Sequence, residues 1–221
     1  SAVTRSSRPM ITTAIQGAIE STRTGAPPDA ASLSELLLRP VVLVAILGML
    51  GALGPIAEEL VKLGGVALRR PASRHRAWLF GVAAGAGFGV TEAIALGSMA
   101  LDAWAASILV RATAMLMHAT TTGLAGLGWY FAVAEGRRGP GLGLVAIAMA
   151  THMLWNTLVV TSAAAGMAAS GGGPPWLDAL AAAAVAGLVA LFAAVLVTFR
   201  GVSRSLSPGA ASSGPPAAEA P

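Results

Sequence analysis

The chain has 221 residues, 55% of them hydrophobic and 11% charged, with a mean hydropathy of +0.73 and a formal net charge of +4. Soluble domains carry about 25% charged residues, so this composition excludes a soluble globular enzyme and identifies an integral membrane protein. There is no cysteine, which removes disulfides and thiolate metal sites, and no recurrent apolar–polar alternation of the kind an outer-membrane barrel needs.

In chain order, residues 1–32 form an N-terminal segment with a short interfacial helix expected over 10–22 and a Pro- and Ala-rich loop over 24–32. The segment lacks the compact apolar core of a signal peptide. A start at Ser1 in place of Met points to a fragment or processed form with an upstream span missing. Spanning a hydrocarbon core takes about 20 apolar residues. Five stretches qualify: 41–68, 77–101, 108–134, 140–165 and 176–199. Pro55 interrupts the first and is expected to kink it. The expected fold is all-α: a polytopic transmembrane bundle over 33–200 with about five spans and a four-helix catalytic core. The Ser-, Gly-, Pro- and Ala-rich stretch 201–221 reads as a disordered tail.

The arginines supply an orientation. Arg69, Arg70, Arg74 and Arg76 follow the first span, Arg137 and Arg138 the third, and Arg200 and Arg204 the fifth, while the stretches 102–107 and 166–175 hold no basic residue. Basic loops face the cytoplasm, so the 69–76 loop and the C-terminus are expected there, in the cytoplasmic (inner) membrane of a bacterium. The basic charge is therefore topological and calls for no nucleic-acid partner. Gly81, Gly85 and Gly89 fall on one helix face, where small residues let a second helix approach closely.

Against this apolar background the polar residues stand out. Glu58 and Glu59 are adjacent inside the first span, and an ionised carboxylate costs about 3 kcal/mol there even on lenient scales. They open the pattern Glu58-Glu59-x-x-Lys62; the others are Phe88-x-x-x-Glu92, Arg111 followed by His118, and His152-x-x-x-Asn156. Spacings of four and seven place partners on one helix face. Counted inward from the expected cytoplasmic ends at 1.5 Å per residue, Glu59, His152, Glu92 and His118 share a layer roughly 10 Å thick, as unrelated structural residues would have no reason to do.

Taken singly, most of these residues have plain explanations. Lys62 neutralises Glu58, Phe88 packs, Arg111 snorkels to an interface, Asn156 or His118 bridges helices, His75 is a solvated loop residue and Glu135 ends a span. Taken jointly, three carboxylates and two histidines inside the membrane mark an ion, proton or catalytic site. Such groups can deprotonate water. Two histidines and a glutamate can hold zinc with a position left for water, and an amide can donate to an oxyanion. No Gly-x-Ser-x-Gly, His-Glu-x-x-His or phosphate-cradling loop is present, and Thr113 and Thr120–Thr122 have no evident partner.

These motifs, with Gly87-Phe88-Gly89-Val90-Thr91-Glu92 and His152-Met153-Leu154-Trp155-Asn156, resemble the PrsW branch of the CAAX-protease and bacteriocin-processing superfamily, in the family's order over residues 55–156. One departure is Ala93, where relatives often carry Asn. The resemblance implies an intramembrane endopeptidase. Glu58 or Glu59 would be the general base, Glu92 and His118 would orient the water, and His152 and Asn156 would stabilise the oxyanion, with Lys62, Phe88 and Arg111 in support. It implies either zinc on Glu92, His118 and His152 or a metal-free glutamate mechanism. The substrate would be a membrane-anchored protein or peptide such as an anti-sigma factor. The second motif ends in Glu92, where prenyl-protein proteases have His, which argues against a prenylated substrate. Two other readings compete on chemistry: a proton- or cation-coupled transporter or channel, and a non-catalytic relative that binds a membrane partner. Transporters often show paired helix interruptions; Pro55 gives a single one.

Overall fold

The structure, a computed structural model, describes residues 36, 39–97 and 104–207. The interfacial helix expected over 10–22, the 24–32 loop and residues 208–221 of the expected tail lie outside them. The described residues form helices and short connections with no strand: α1 (Pro40–Ile46), a π-helical segment (Leu47–Leu53), α2 (Gly54–Leu68), α3 (Arg74–Gly97), α4 (Trp104–Val133), α5 (Arg138–Ser170) and α6 (Trp176–Ser205). Pro40 begins α1, where a missing N–H costs nothing. The last helix continues six residues past the expected end of its span, to Ser205.

Among the described residues, four stretches are long and apolar enough to cross a membrane: Pro40–Leu68, Arg74–Leu96, Arg138–Ser170 and Trp176–Ser205. The fifth expected span, 108–134, is helical but is not among them. At 30 residues α4 has ample length. Arg111, Thr113, His118 and Thr120–Thr122 dilute its hydropathy. Every residue from 117 to 128 is buried, so this stretch meets protein in place of lipid and its polar side chains are tolerated.

The chain divides into two compact units, Ser1–Gly54 with Trp155–Leu188, and Pro55–Leu154 with Val189–Pro221. In the second unit α3 lies directly on α4. A Cβ on Gly81 would collide with the carbonyl of Thr122, one on Gly85 with the carbonyl of His118, and one on Gly89 would come within 3.0 Å of Met115 Cα. The four-residue glycine spacing thus does what it was expected to do. Ala77, Trp78, Leu124, Ala125, Leu127 and Ala148 form the apolar core, with Phe199 packed against it. Trp78 Nε1 donates to Ser203 Oγ at 3.2 Å. His75, expected in solvent, is instead tied through Nδ1 to the Leu206 carbonyl at 2.7 Å.

In the first unit the expected kink takes the form of the π-helix, which ends with the Gly54 N–H donating to the Met49 carbonyl. Gly51 is buried there; a Cβ would sit 2.8 Å from Thr157 Oγ1. Ala165, Ala168 and Leu177 make a small apolar cluster. A turn with Gly172 at φ +87° separates α5 from α6, a conformation that glycine adopts without strain.

Candidate functional site

Four helices of the second unit contribute the site: α2 carries Glu58, Glu59 and Lys62, α3 carries Phe88 and Glu92, α4 carries Arg111, His118 and the threonines, and α5 carries His152. The adjacent glutamates point to different neighbours because consecutive helical residues lie about 100° apart. Glu59 is fully buried. Its Oε1 receives Thr121 Oγ1 at 3.0 Å and His152 Nδ1 at 2.9 Å, and Lys62 Nζ lies 2.7 Å away. Its Oε2 receives Thr122 Oγ1 at 3.1 Å. A buried carboxylate survives only when satisfied in this way.

Glu58 differs. Its side chain is 26% exposed, and Lys62 is more distant, at 3.9 Å. Lysine 62 therefore serves Glu59 first, contrary to the sequence expectation that it mainly neutralises Glu58. Glu58 Oε2 lies 3.6 Å from His152 Nε2. Both atoms are buried, and neither has a hydrogen-bond partner.

Each histidine is held from behind by a carboxylate. Since Nδ1 of His152 donates to Glu59, its Nε2 is left with a lone pair. On His118, Nε2 lies 3.0 Å from Glu92 Oε2 and donates to it, so Nδ1 accepts from Lys62 Nζ at 3.1 Å. A carboxylate behind an imidazole fixes its tautomer and orientation, the usual arrangement behind a metal-bound histidine. The two rings pack edge to face at 4.7 Å. Among the described residues, Glu58, His118 and His152 have donor atoms that all fall within 4.8 Å of one another. Glu92, expected from the resemblance in a ligand trio with the histidines, instead backs His118.

The supporting residues have defined places. Phe88 packs against the His118 ring at 5.3 Å and lies beneath Lys62 Nζ at 4.5 Å, a cation–π contact as well as packing. Arg111, expected to snorkel, has its guanidinium 3.9 Å from Glu92 Oε1. Asn156 does not join this network; its Nδ2 donates to the Leu50 carbonyl at 3.2 Å. Thr121 and Thr122, which have no evident partner in the sequence, are the hydroxyls that hold Glu59; the run of three threonines on α4 is the only signal of it there.

Buried glutamates and histidines that hydrogen-bond one another inside apolar helices define a membrane-embedded acid–base site in an integral membrane protein. The wider comparison is specific: residues 10–198 match the PrsW family of intramembrane metalloproteases, and the chain belongs to that family. It is thereby an intramembrane protease with a membrane-protein substrate. No curated protein and no solved structure matches it.

Proposed function

We propose that this protease cleaves its substrate with water activated by Glu58, while Glu59 organises the site and does not react. The observation that carries the assignment is the contrast between neighbours: Glu59 has every oxygen engaged, whereas Glu58 Oε2 is buried, unbonded and 3.6 Å from an equally unbonded His152 Nε2. A general base needs a free lone pair within reach of the water it deprotonates. Glu58 takes the proton as the water attacks the scissile carbonyl, and returns it to the leaving amine. Glu59 holds His152 with Nε2 turned inward, and Glu92 holds His118. Asn156, expected to stabilise the oxyanion, is engaged with Leu50 and has no part in this scheme.

The donor set fits a zinc ion. Glu58 Oε2 and His152 Nε2 are orphaned, His118 Nδ1 is an acceptor, and both imidazoles have carboxylates behind them. A zinc ion on Glu58, His118 and His152 would leave a fourth position open, but it would take the Glu58 Oε2 lone pair and displace Lys62 from His118 Nδ1, so it is the alternative to a free Glu58 base and not an addition to it. When bound, zinc would lower the pKa of its water and polarise the carbonyl. We further assign the arginine-bearing ends to the cytoplasm.

The test is cleavage of a single-span reporter co-reconstituted in proteoliposomes. Glu58→Gln should lose about 10³-fold in rate, within the range for removing a general base, with its melting temperature unchanged. Glu59→Gln should lose activity and melt lower as well, because it strands a buried lysine. Glu58→Gln cutting at the wild-type rate would sink the assignment. Metal analysis by mass spectrometry separates the two: one zinc per chain, reduced by His152→Ala, would make Glu58 a ligand and overturn its role as the free base.

A further inference from the structure

The amide of Asn156 is spent on one particular backbone carbonyl, and the sequence around that carbonyl explains why. In an α-helix the Leu50 carbonyl would accept from the N–H of residue 54; in a π-helix it would accept from residue 55. The Gly54 N–H is committed to Met49. Residue 55 is proline and has no N–H. The Leu50 carbonyl is therefore orphaned by the sequence itself, in a segment where hydrocarbon offers no replacement donor and an unsatisfied backbone group costs several kcal/mol. Asn156 Nδ2 lies 3.2 Å away. The contact beside it is equally close: Gly51 is buried against Thr157, the next residue after Asn156, with no room for a Cβ.

We infer that Asn156 is a positioning residue whose side-chain N–H replaces the donor that Pro55 lacks. It pins the π-helical segment Leu47–Leu53, just ahead of the proline in the sequence. The structural part stands alone, while the consequence for catalysis rests on the protease reading above. Asn156 then acts through the backbone and not on the substrate.

The pairing with Pro55 supplies a rescue test. Pro55→Ala restores an N–H at residue 55. Whether the segment stays π or relaxes to α, Leu50 then has a backbone donor and Asn156 becomes dispensable. Four full-length proteins in detergent micelles suffice: wild type, Asn156→Leu, Pro55→Ala and the double variant. Asn156→Leu should lower the melting temperature by about 2–4 °C, the size expected for one hydrogen bond in a chain of this length. In the alanine-55 background the loss should shrink below about 1 °C. Hydrogen exchange in Asn156→Leu should accelerate about tenfold over residues 47–56 and stay unchanged over 117–128. On the membrane reporter, the rate lost in Asn156→Leu should be recovered in the double variant.

Equal melting losses in both backgrounds, or unchanged exchange over 47–56, would overturn the inference, and a rate that stays lost in the double variant would overturn it in favour of an oxyanion donor. If Pro55→Ala fails to fold, exchange in Asn156→Leu alone decides. If no variant cleaves the reporter while melting and exchange behave as stated, the protease assignment fails and the backbone role survives.

Discussion

α4 and α6 are each 30 residues long, yet they relate to their surroundings in opposite ways. The latter is apolar almost all round and exposes Val185, Val189 and Val197 by half or more. Its counterpart carries an arginine, a histidine and a run of three threonines, and its residues 117–128 are all buried. In a soluble protein the more apolar helix would be the inner one. Here the surroundings are themselves apolar, so hydropathy reports contact with lipid and polarity reports contact with protein. The less hydropathic of the two is accordingly the one that presents His118 to the site.

That contrast can be broken in order of expected effect. Gly85→Val should be the most damaging change. Its Cβ would fall on the carbonyl of His118 and within 2.8 Å of Ala119 Cα, backbone that cannot yield. A loss of about 3 kcal/mol or more, at the upper end of the overpacking range, should appear as failure to purify as a monodisperse species or a steep fall in melting temperature. Next come Thr121→Val and Thr122→Val, which keep side-chain shape but each remove a hydrogen bond to buried Glu59. About 1.5–3 kcal/mol apiece is expected for a bond to a charged group, with the double variant non-additive because both serve one carboxylate. A loss below 0.5 kcal/mol in either would show that Glu59 does not need them. On α6, Val189→Ala and Val197→Ala should each shift stability by less than about 0.5 kcal/mol, as for surface positions generally; a core-sized loss would mean that a protein partner covers that face.

The smallest effect lies outside the membrane. Glu135 receives Arg74 Nε at 2.6 Å and Nη2 at 2.8 Å, and this hydrogen bonding holds its carboxyl below the usual carboxylate value of 4.5. A depressed folded-state pKa gives stability that is present above the unfolded value and lost as pH falls through the folded one. The difference in melting temperature between wild type and Glu135→Gln should therefore narrow below pH 4.5 and weaken with added salt. A difference that grows on acidification would contradict the pairing.

Much of this organisation was legible in the sequence. Glu58, Glu59, Glu92, His118 and His152 stand out because charge is costly in lipid, and all five meet in one network. The glycine seam follows from its spacing. Other features were hidden for physical reasons. Which glutamate Lys62 prefers depends on side-chain reach, since offsets of three and four both lie on one face. Thr121 and Thr122 are compatible with any buried helix until a carboxylate is known to face them. That the 108–134 helix is buried was hidden because length and period say nothing about whether a helix meets lipid or protein. Pro55 announced a break, but the donor that repairs it comes from residue 156, and no local pattern joins the two.

The Glu59–Lys62 ion pair has a consequence for biogenesis. The two residues are three apart on α2, so the pair forms within a single helix and needs no other segment. A newly made chain presents this stretch to the insertion machinery with its most deeply placed negative charge already cancelled. Partitioning into the bilayer can then precede the arrival of the later helices that bring His118, the threonines and His152, and the polar network is completed inside the membrane.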